Sequence, residues 1–466
     1  MAEEPRRESP AAGAPANGAE AEGANGGGKL RRVVTPGMLI VFIVGDMVGG
    51  GIYALVGEVG GEVGGAIWTA FLAALILALF TAGAYAELVT KYPKAGGAAI
   101  YIQRAFGVPF LTFLIGFMVM MSSITSASAL SNAFGGDYLG QFFEIGVKPV
   151  AIAVIVLVAL INLRGIAESA KANIVFTLIE LAGLALVVVI GAAAIFSGEG
   201  EPARAFEFKA GDTTVPLLIL GDVALSFYAL IGFEDSVNIA EETKDPRRAY
   251  PRGLFGGLLI GGIVYLVVTI VASMAVATGT LAQSSGPLLE VVKLGPLAVP
   301  TQLFAAIALF ALANTILINM ITASRLLYGM GDEGILPGVF ARILPGRRTP
   351  VAGIAFSSLV AIALVLIGGL NQLASATVML LLLAFIGVNI AVLVARRNPV
   401  EHDHFRVPTP VPILGVIVCV GLLTQQVDAF GLVGVLLVIG VALFGVTYLV
   451  TRLTANRDGE ATAGTP

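Results

Sequence analysis

Two apolar stretches of this chain are interrupted where a membrane helix should be continuous. They are Gly45-Asp46-Met47-Val48-Gly49-Gly50-Gly51 in the first, and Tyr228-Ala229-Leu230-Ile231-Gly232-Phe233-Glu234 in a later one. A helix in lipid satisfies its backbone polar groups internally, so glycine runs and carboxylates persist at membrane depth only where they line a cavity in the protein. In secondary transporters such a pair of interruptions builds the substrate site.

Composition sets the same frame. Hydrophobic residues make up 57% of the 466, charged residues 12%, and the mean hydropathy is +0.92, whereas a soluble domain is about 25% charged. A span needs roughly 20 apolar residues. Candidates begin near Gly37, Ala66, Pro109, Lys148, Ala172, Val215, Gly253, Ala298, Val351, Gln372, Ile413 and Leu432. The expected architecture is an all-α membrane protein with twelve transmembrane helices over residues 33–452. A disordered N-terminal tail, 1–32, precedes it, without the basic start and short apolar run of a cleaved signal. A C-terminal tail, 453–466, is expected to be equally unstructured.

Charge placement orients the spans. Alternating the loops between two sides puts 23 of the 27 Lys and Arg residues on one side and leaves Lys148, Arg204, Lys209 and Lys293 on the other. The positive-inside rule makes the rich side, with both termini, cytoplasmic, and the expected location is the cell membrane. The single cysteine, Cys419, and the two histidines, His402 and His404 in a polar loop, supply a metal or redox site poorly. No HExxH, Gly-x-Ser-x-Gly or phosphate-binding loop is present. An enzyme, a cofactor and a nucleic-acid partner are therefore not expected. A channel is disfavoured because the acids are few and the breaks suggest a closed site.

Each break has a chemical reading and a plainer one. Three consecutive glycines let the backbone unwind, and the amides opening the following half-helix can face a carboxylate. The plainer reading is close packing of small residues between helices. Asp46, just before the triplet, shifts the balance towards a site, since an acid within a span is functional by default. In the second break, carbonyls released near Tyr228 to Ile231 can accept from an ammonium group. Phe227, Tyr228 and Phe233 could instead be core or lipid-facing residues, and Glu234 and Asp235 would sit in water if the span ended early. The breaks lie about five spans apart, as an inverted repeat would place them, although the two halves share no direct sequence identity.

With these features go four ordered motifs: Gly49 to Tyr53; Tyr92-Pro93-Lys94-Ala95-Gly96-Gly97 with Tyr101 and Ala105-Phe106-Gly107 in the loop after the second helix; Ala229 to Glu234 followed by Glu241-Glu242-Thr243-Lys244-Asp245-Pro246-Arg247-Arg248; and Ser324-Arg325 with Tyr328, Gly329, Met330 and Gly334-Ile335-Leu336-Pro337. Together they resemble the amino acid/polyamine/organocation (APC) transporter superfamily, close to its bacterial and archaeal amino acid permeases, from about Val34 to Arg452. The resemblance implies a LeuT-type fold of two inverted five-helix repeats with discontinuous helices one and six, plus two peripheral helices. It further implies a substrate carboxylate on the amides of Gly49, Gly50 and Gly51, and a substrate amine on carbonyls near Met47 and from Tyr228 through Ala229 to Ile231. Tyr228 would be an aromatic gate, and Glu234 an acid of proton-linked steps.

Two positions depart from the pattern. Some proton-coupled relatives carry a lysine in the fifth helix where this chain has Glu180, and Asp46 stands where an amide is often seen. Asp46, Glu180 and Glu234 are therefore the candidate ion-coupling residues. The structural alternative for Glu180 is pairing with a hydroxyl or an amide such as Asn314. The expected function is secondary active import of an amino acid, coupled to a proton. Exchange, or uptake of a cationic amine, is the alternative; sodium coupling through Thr315 and first-helix carbonyls also stays open.

Overall fold

The computed structural model of the chain describes residues 34–463, apart from 95–96, 165–169, 210–213, 295–296, 298 and 345–348. The expected N-terminal tail lies outside the described residues. Regular structure among those residues is helical, with β-pairing confined to two isolated bridges, Val34 with Thr243 and Gly64 with Phe208.

The first span is α1 (Pro36–Met47) and α2 (Gly50–Val63), which bend by 45° across Val48 and Gly49. Thr35 opens α1: its hydroxyl accepts from the Met38 amide at 3.3 Å, and Pro36 needs no partner for a missing N–H. Then come α3 (Ile67–Lys91), α4 (Gly97–Phe106), α5 (Pro109–Phe134), α6 (Asp137–Gly140), α7 (Val147–Leu163), α8 (Ala170–Phe196) and α9 (Val215–Leu230). The second break follows α9 and leads into a 3-10 stretch, Asp235–Glu242. The remainder is α10 (Pro246–Ala275), α11 (Thr278–Gln283), α12 (Pro287–Lys293), α13 (Thr301–Asp332), α14 (Val351–Ile367), α15 (Leu370–Ala395), α16 (Pro410–Leu423) and α17 (Phe430–Ala463).

Among the described residues, seven helices are long and apolar enough to cross a membrane: α3, α5, α8, α10, α13, α15 and α17. The bent α1–α2 pair makes an eighth, and α7, α14 and α16 are shorter apolar helices. One helix carries much of the interior's polarity: α5 packs against α13 and α15 while burying Ser122, Ser123, Thr125, Ser126, Ser128, Ser131 and Asn132. Most of these hydroxyls return to carbonyls three or four residues earlier, as Ser128 does to Ile124 at 2.7 Å, which makes them tolerable in an apolar core.

The structure departs from expectation at several elements. The motif after the second span contains α4, a ten-residue helix that buries Ala98, Tyr101 and Ile102. The connection between α10 and α13 folds into two short helices, α11 and α12. α17 continues to Ala463, through most of the segment read as an unstructured tail. Its Ala, Arg and Glu residues propagate a helix already nucleated by the preceding span.

Candidate functional site

At the first break two helices, α13 and α9, press against the backbone. Val48 still donates to the Val44 carbonyl at 2.7 Å, then Gly49 turns extended (φ −71°, ψ −151°) and α2 starts afresh. A Cβ on Gly49 would overlap the Thr315 hydroxyl of α13. One on Gly50 would lie 2.8 Å from Leu312, and one on Gly51 would lie 2.9 Å from the Ala229 Cα of α9. Close packing and unwinding are thus both properties of the same triplet. The Gly50 amide, an N-terminal donor without a helical partner, donates to Thr315 Oγ1 at 2.9 Å.

The second break is built by Gly232 and Glu234. Ile231 N donates to the Tyr228 carbonyl at 3.3 Å as α9 ends. Gly232 then takes φ +123°, a region that side-chain-bearing residues avoid. Its amide donates to Glu234 Oε2 at 2.9 Å, so the acid stabilises the break locally. A Cβ on Gly232 would sit 2.9 Å from both the carbonyl carbon and oxygen of Asp46. The two breaks therefore meet, Gly232 on Asp46 and Gly51 on Ala229.

The aromatics beside them face inward. Phe227, Tyr228 and Phe233 are buried, which removes the lipid-facing reading. The Tyr228 hydroxyl is hydrogen-bonded to Ser126 Oγ of α5 at 2.9 Å, tying the side chain proposed as a gate across to a third helix.

The acids fall into two groups. Asp46 and Glu234 converge where the breaks touch, both buried. Glu234 and Asp235, with Tyr85, Gly97, Ala98 and Asn238, line a cavity of about 20 Å³, room for one water. Glu180 stands apart on α8 with no exposed surface. Asn314 Nδ2 donates to its Oε1 at 3.0 Å, the amide pairing expected as the structural alternative, and its backbone carbonyl accepts from the Tyr53 hydroxyl of α2 at 2.8 Å. The Met47 carbonyl, expected near a substrate amine, accepts from the Tyr265 hydroxyl of α10.

Ser126, Tyr265 and the Thr315–Gly50 bond were not legible, because they depend on how each span is rotated. Asp222 was: it sits in the apolar run Val215–Leu230, and the rule that singled out Asp46 applies to it equally. Among the described residues, no group of three or more His, Cys, Asp or Glu is placed to hold a metal ion.

Comparison with known proteins bears on the family and the fold. A methylthioribose transporter of Bacillus subtilis is 25% identical over 84% of this chain and 87% of its own. The branched-chain amino acid permease BcaP of the same organism is 23% identical, covering 86% and 89%. The low-affinity putrescine importer PlaP of Escherichia coli is 29% identical, covering 70% and 74%. A mutant form of the manganese transporter of Eremococcus coleocola superposes with a TM-score of 0.58 at 14% identity, over 90% of this chain and 94% of that one, a likeness of fold. The profile of the amino acid permease family matches residues 38–447. With most of its length matched and two interrupted spans meeting at its centre, the chain belongs to the amino acid permease family of the APC superfamily.

Proposed function

We propose that this permease is a secondary active transporter that imports an amino acid together with a proton by alternating access around the two breaks. The observation that carries the reading is their direct contact, Gly51 against Ala229 and Gly232 against Asp46. That contact brings the amides opening α2 beside the carbonyls closing α9, a donor surface for a carboxylate next to an acceptor surface for an ammonium. In this reading Gly49, Gly50 and Gly51 hold the carboxylate, with the Gly50 amide exchanging Thr315 for substrate. Met47, Tyr228, Ala229 and Ile231 surround the amine, and Tyr228 closes over it.

Asp46, Glu180 and Glu234 are the proton carriers of the proposal, and buried carboxylates of this kind are suited to the role. Twelve spans in two inverted repeats of five with two peripheral helices, both termini cytoplasmic, and location in the cell membrane complete the reading. Sodium is the alternative coupling ion. Against it stands the engagement of the Thr315 hydroxyl, which donates to the Ala311 carbonyl at 3.0 Å and accepts from Gly50.

The test is uptake of labelled amino acids and amines into proteoliposomes under an imposed pH gradient and, separately, a sodium gradient, for wild type and Glu180→Gln. The expected result is accumulation driven by the pH gradient and abolished in the variant. Uptake driven by sodium alone, or by internal amino acid, would overturn proton coupling through Glu180; no uptake of any member of the panel would overturn the substrate class.

A further inference from the structure

The α2–α9 interface continues away from the breaks. Gly51 touches Ala229, α2 runs away from that contact and α9 runs towards it. Seven residues is close to two full turns, so Glu58 lies on the same face of α2 as Gly51, and Asp222 on the same face of α9 as Ala229. Each acid therefore lies about 10 Å along its helix from the contact, at 1.5 Å of rise per residue, on the face turned to the other helix. Glu62 is one turn beyond Glu58. The charged groups acting on Asp222 are Glu62, Lys209 and Glu58, and the Lys209 ammonium is already paired with Glu62 at 3.4 Å.

Asp222 is 5% exposed, and among the described residues no hydrogen bond or ion pair reaches its carboxylate. One turn deeper on the same flank, the Ser226 hydroxyl has no exposed surface and no hydrogen-bond partner. On the helix that leads to the break, the carboxylate at i retains a little exposed surface and the hydroxyl at i+4 is buried without a partner among the described residues, a pair that an entering donor would satisfy. Beside the Lys209–Glu62 pair a cavity of about 290 Å³ opens at the end of α2, lined in part by Gly60, Gly61, Glu207 and Lys209 but by none of Asp222, Ser226, Glu58 or Glu62. Around Asp222 itself, three carboxylates, Asp222, Glu58 and Glu62, stand against one ammonium, Lys209, which makes the region complementary to a cation.

From these observations we infer that Asp222, faced by Glu58, is an ammonium-binding station on the route from the outer surface to the paired breaks, and that the substrate it serves carries a net positive charge, as a cationic amino acid or a diamine does. The inference rests on the transport reading and on its orientation. Asp222 binds the ammonium by charge-assisted hydrogen bonds, and Ser226 accepts from it on the way to the carbonyls at the end of α9. A neutral amino acid gains less here, because its own carboxylate offsets the attraction.

The test compares wild type, Asp222→Asn, Asp222→Glu and Glu58→Gln in proteoliposomes, with arginine and putrescine as cationic probes and leucine as the neutral one. Initial-rate kinetics should show KM for the cationic probes rising about tenfold in Asp222→Asn, with kcat within about twofold, which also reports an intact fold. Asp222→Glu should restore KM, Glu58→Gln should raise it by a smaller factor, and KM for leucine should not move. Equal effects on cationic and neutral probes, a change in kcat or proton dependence alone, or wild-type transport confined to leucine would overturn the station. Absence of transport for all three probes in wild type would overturn the transport reading itself, which separates the two failures.

Discussion

At the scale of single residues, the site is made by glycines whose missing side chains are occupied by neighbours. Gly232 is the sharpest case, since its φ of +123° and the Asp46 carbonyl 2.9 Å from a would-be Cβ act together. Gly232→Ala should cost roughly 1–3 kcal/mol of backbone strain in addition to the clash. It should appear as a lower melting temperature in detergent and as lost uptake; an unchanged melting curve would refute the close approach. The Tyr228–Ser126 bond at 2.9 Å makes a different prediction. Tyr228→Phe and Ser126→Ala should each weaken transport by a few-fold, in line with about 1 kcal/mol for a hydrogen bond, and the double variant should be little worse than either single one. Full additivity in that cycle would show that the two hydroxyls act independently.

At the scale of elements, the breaks were legible because glycine and carboxylate are conspicuous within apolar runs, and the triplet at Gly49 to Gly51 coincides with the bend between α1 and α2. Less visible were the elements whose signal is short or amphipathic. α4 hides Tyr101 and Ile102 in what reads as a loop, and α11 spans only Thr278–Gln283. Partners across helices could not be read either, because hydroxyls such as Ser126 recur at several rotations of α5, and only packing selects the one that faces Tyr228. The joint between α3 and α15 belongs to the same class. Glu87 and Arg396 form a bidentate pair at 2.7 Å, Val407 N adds to the same carboxylate at 3.0 Å, and both side chains are largely enclosed. The hydrogen bonds to Glu87 hold the Arg396 guanidinium above its usual pKa, so this cation stays charged across the working range. Glu87→Gln should leave an uncompensated buried charge and cost about 3–5 kcal/mol, seen as a fall in melting temperature larger than that of a joint Glu87→Gln and Arg396→Met replacement. An equal or greater fall in the joint variant would assign the stabilisation to packing instead of charge.

At the scale of the whole molecule, the account joins a family assignment, a pair of touching breaks and a membrane orientation read from charge. The orientation is open to a direct check because Cys419 is buried and is the only cysteine. In a Cys419→Ser background, a membrane-impermeant maleimide applied to intact cells should label Glu199→Cys and leave Glu401→Cys unlabelled until the cells are opened; the reverse pattern would invert the topology. The distribution of Lys and Arg supports a definite orientation, whereas substrate identity carries no such signal in the sequence, since it depends on side chains from several spans whose rotations only packing determines. The claim at the centre is that both breaks together form one binding site. Its most direct test is a map of the protein saturated with a substrate shown to be transported. The account predicts that the ligand's carboxylate lies against Gly49 to Gly51 and its amine against the carbonyls between Tyr228 and Ile231, with the Gly50 amide released from Thr315. A ligand bound elsewhere, with the Gly51–Ala229 and Gly232–Asp46 contacts undisturbed and empty of substrate, would contradict it.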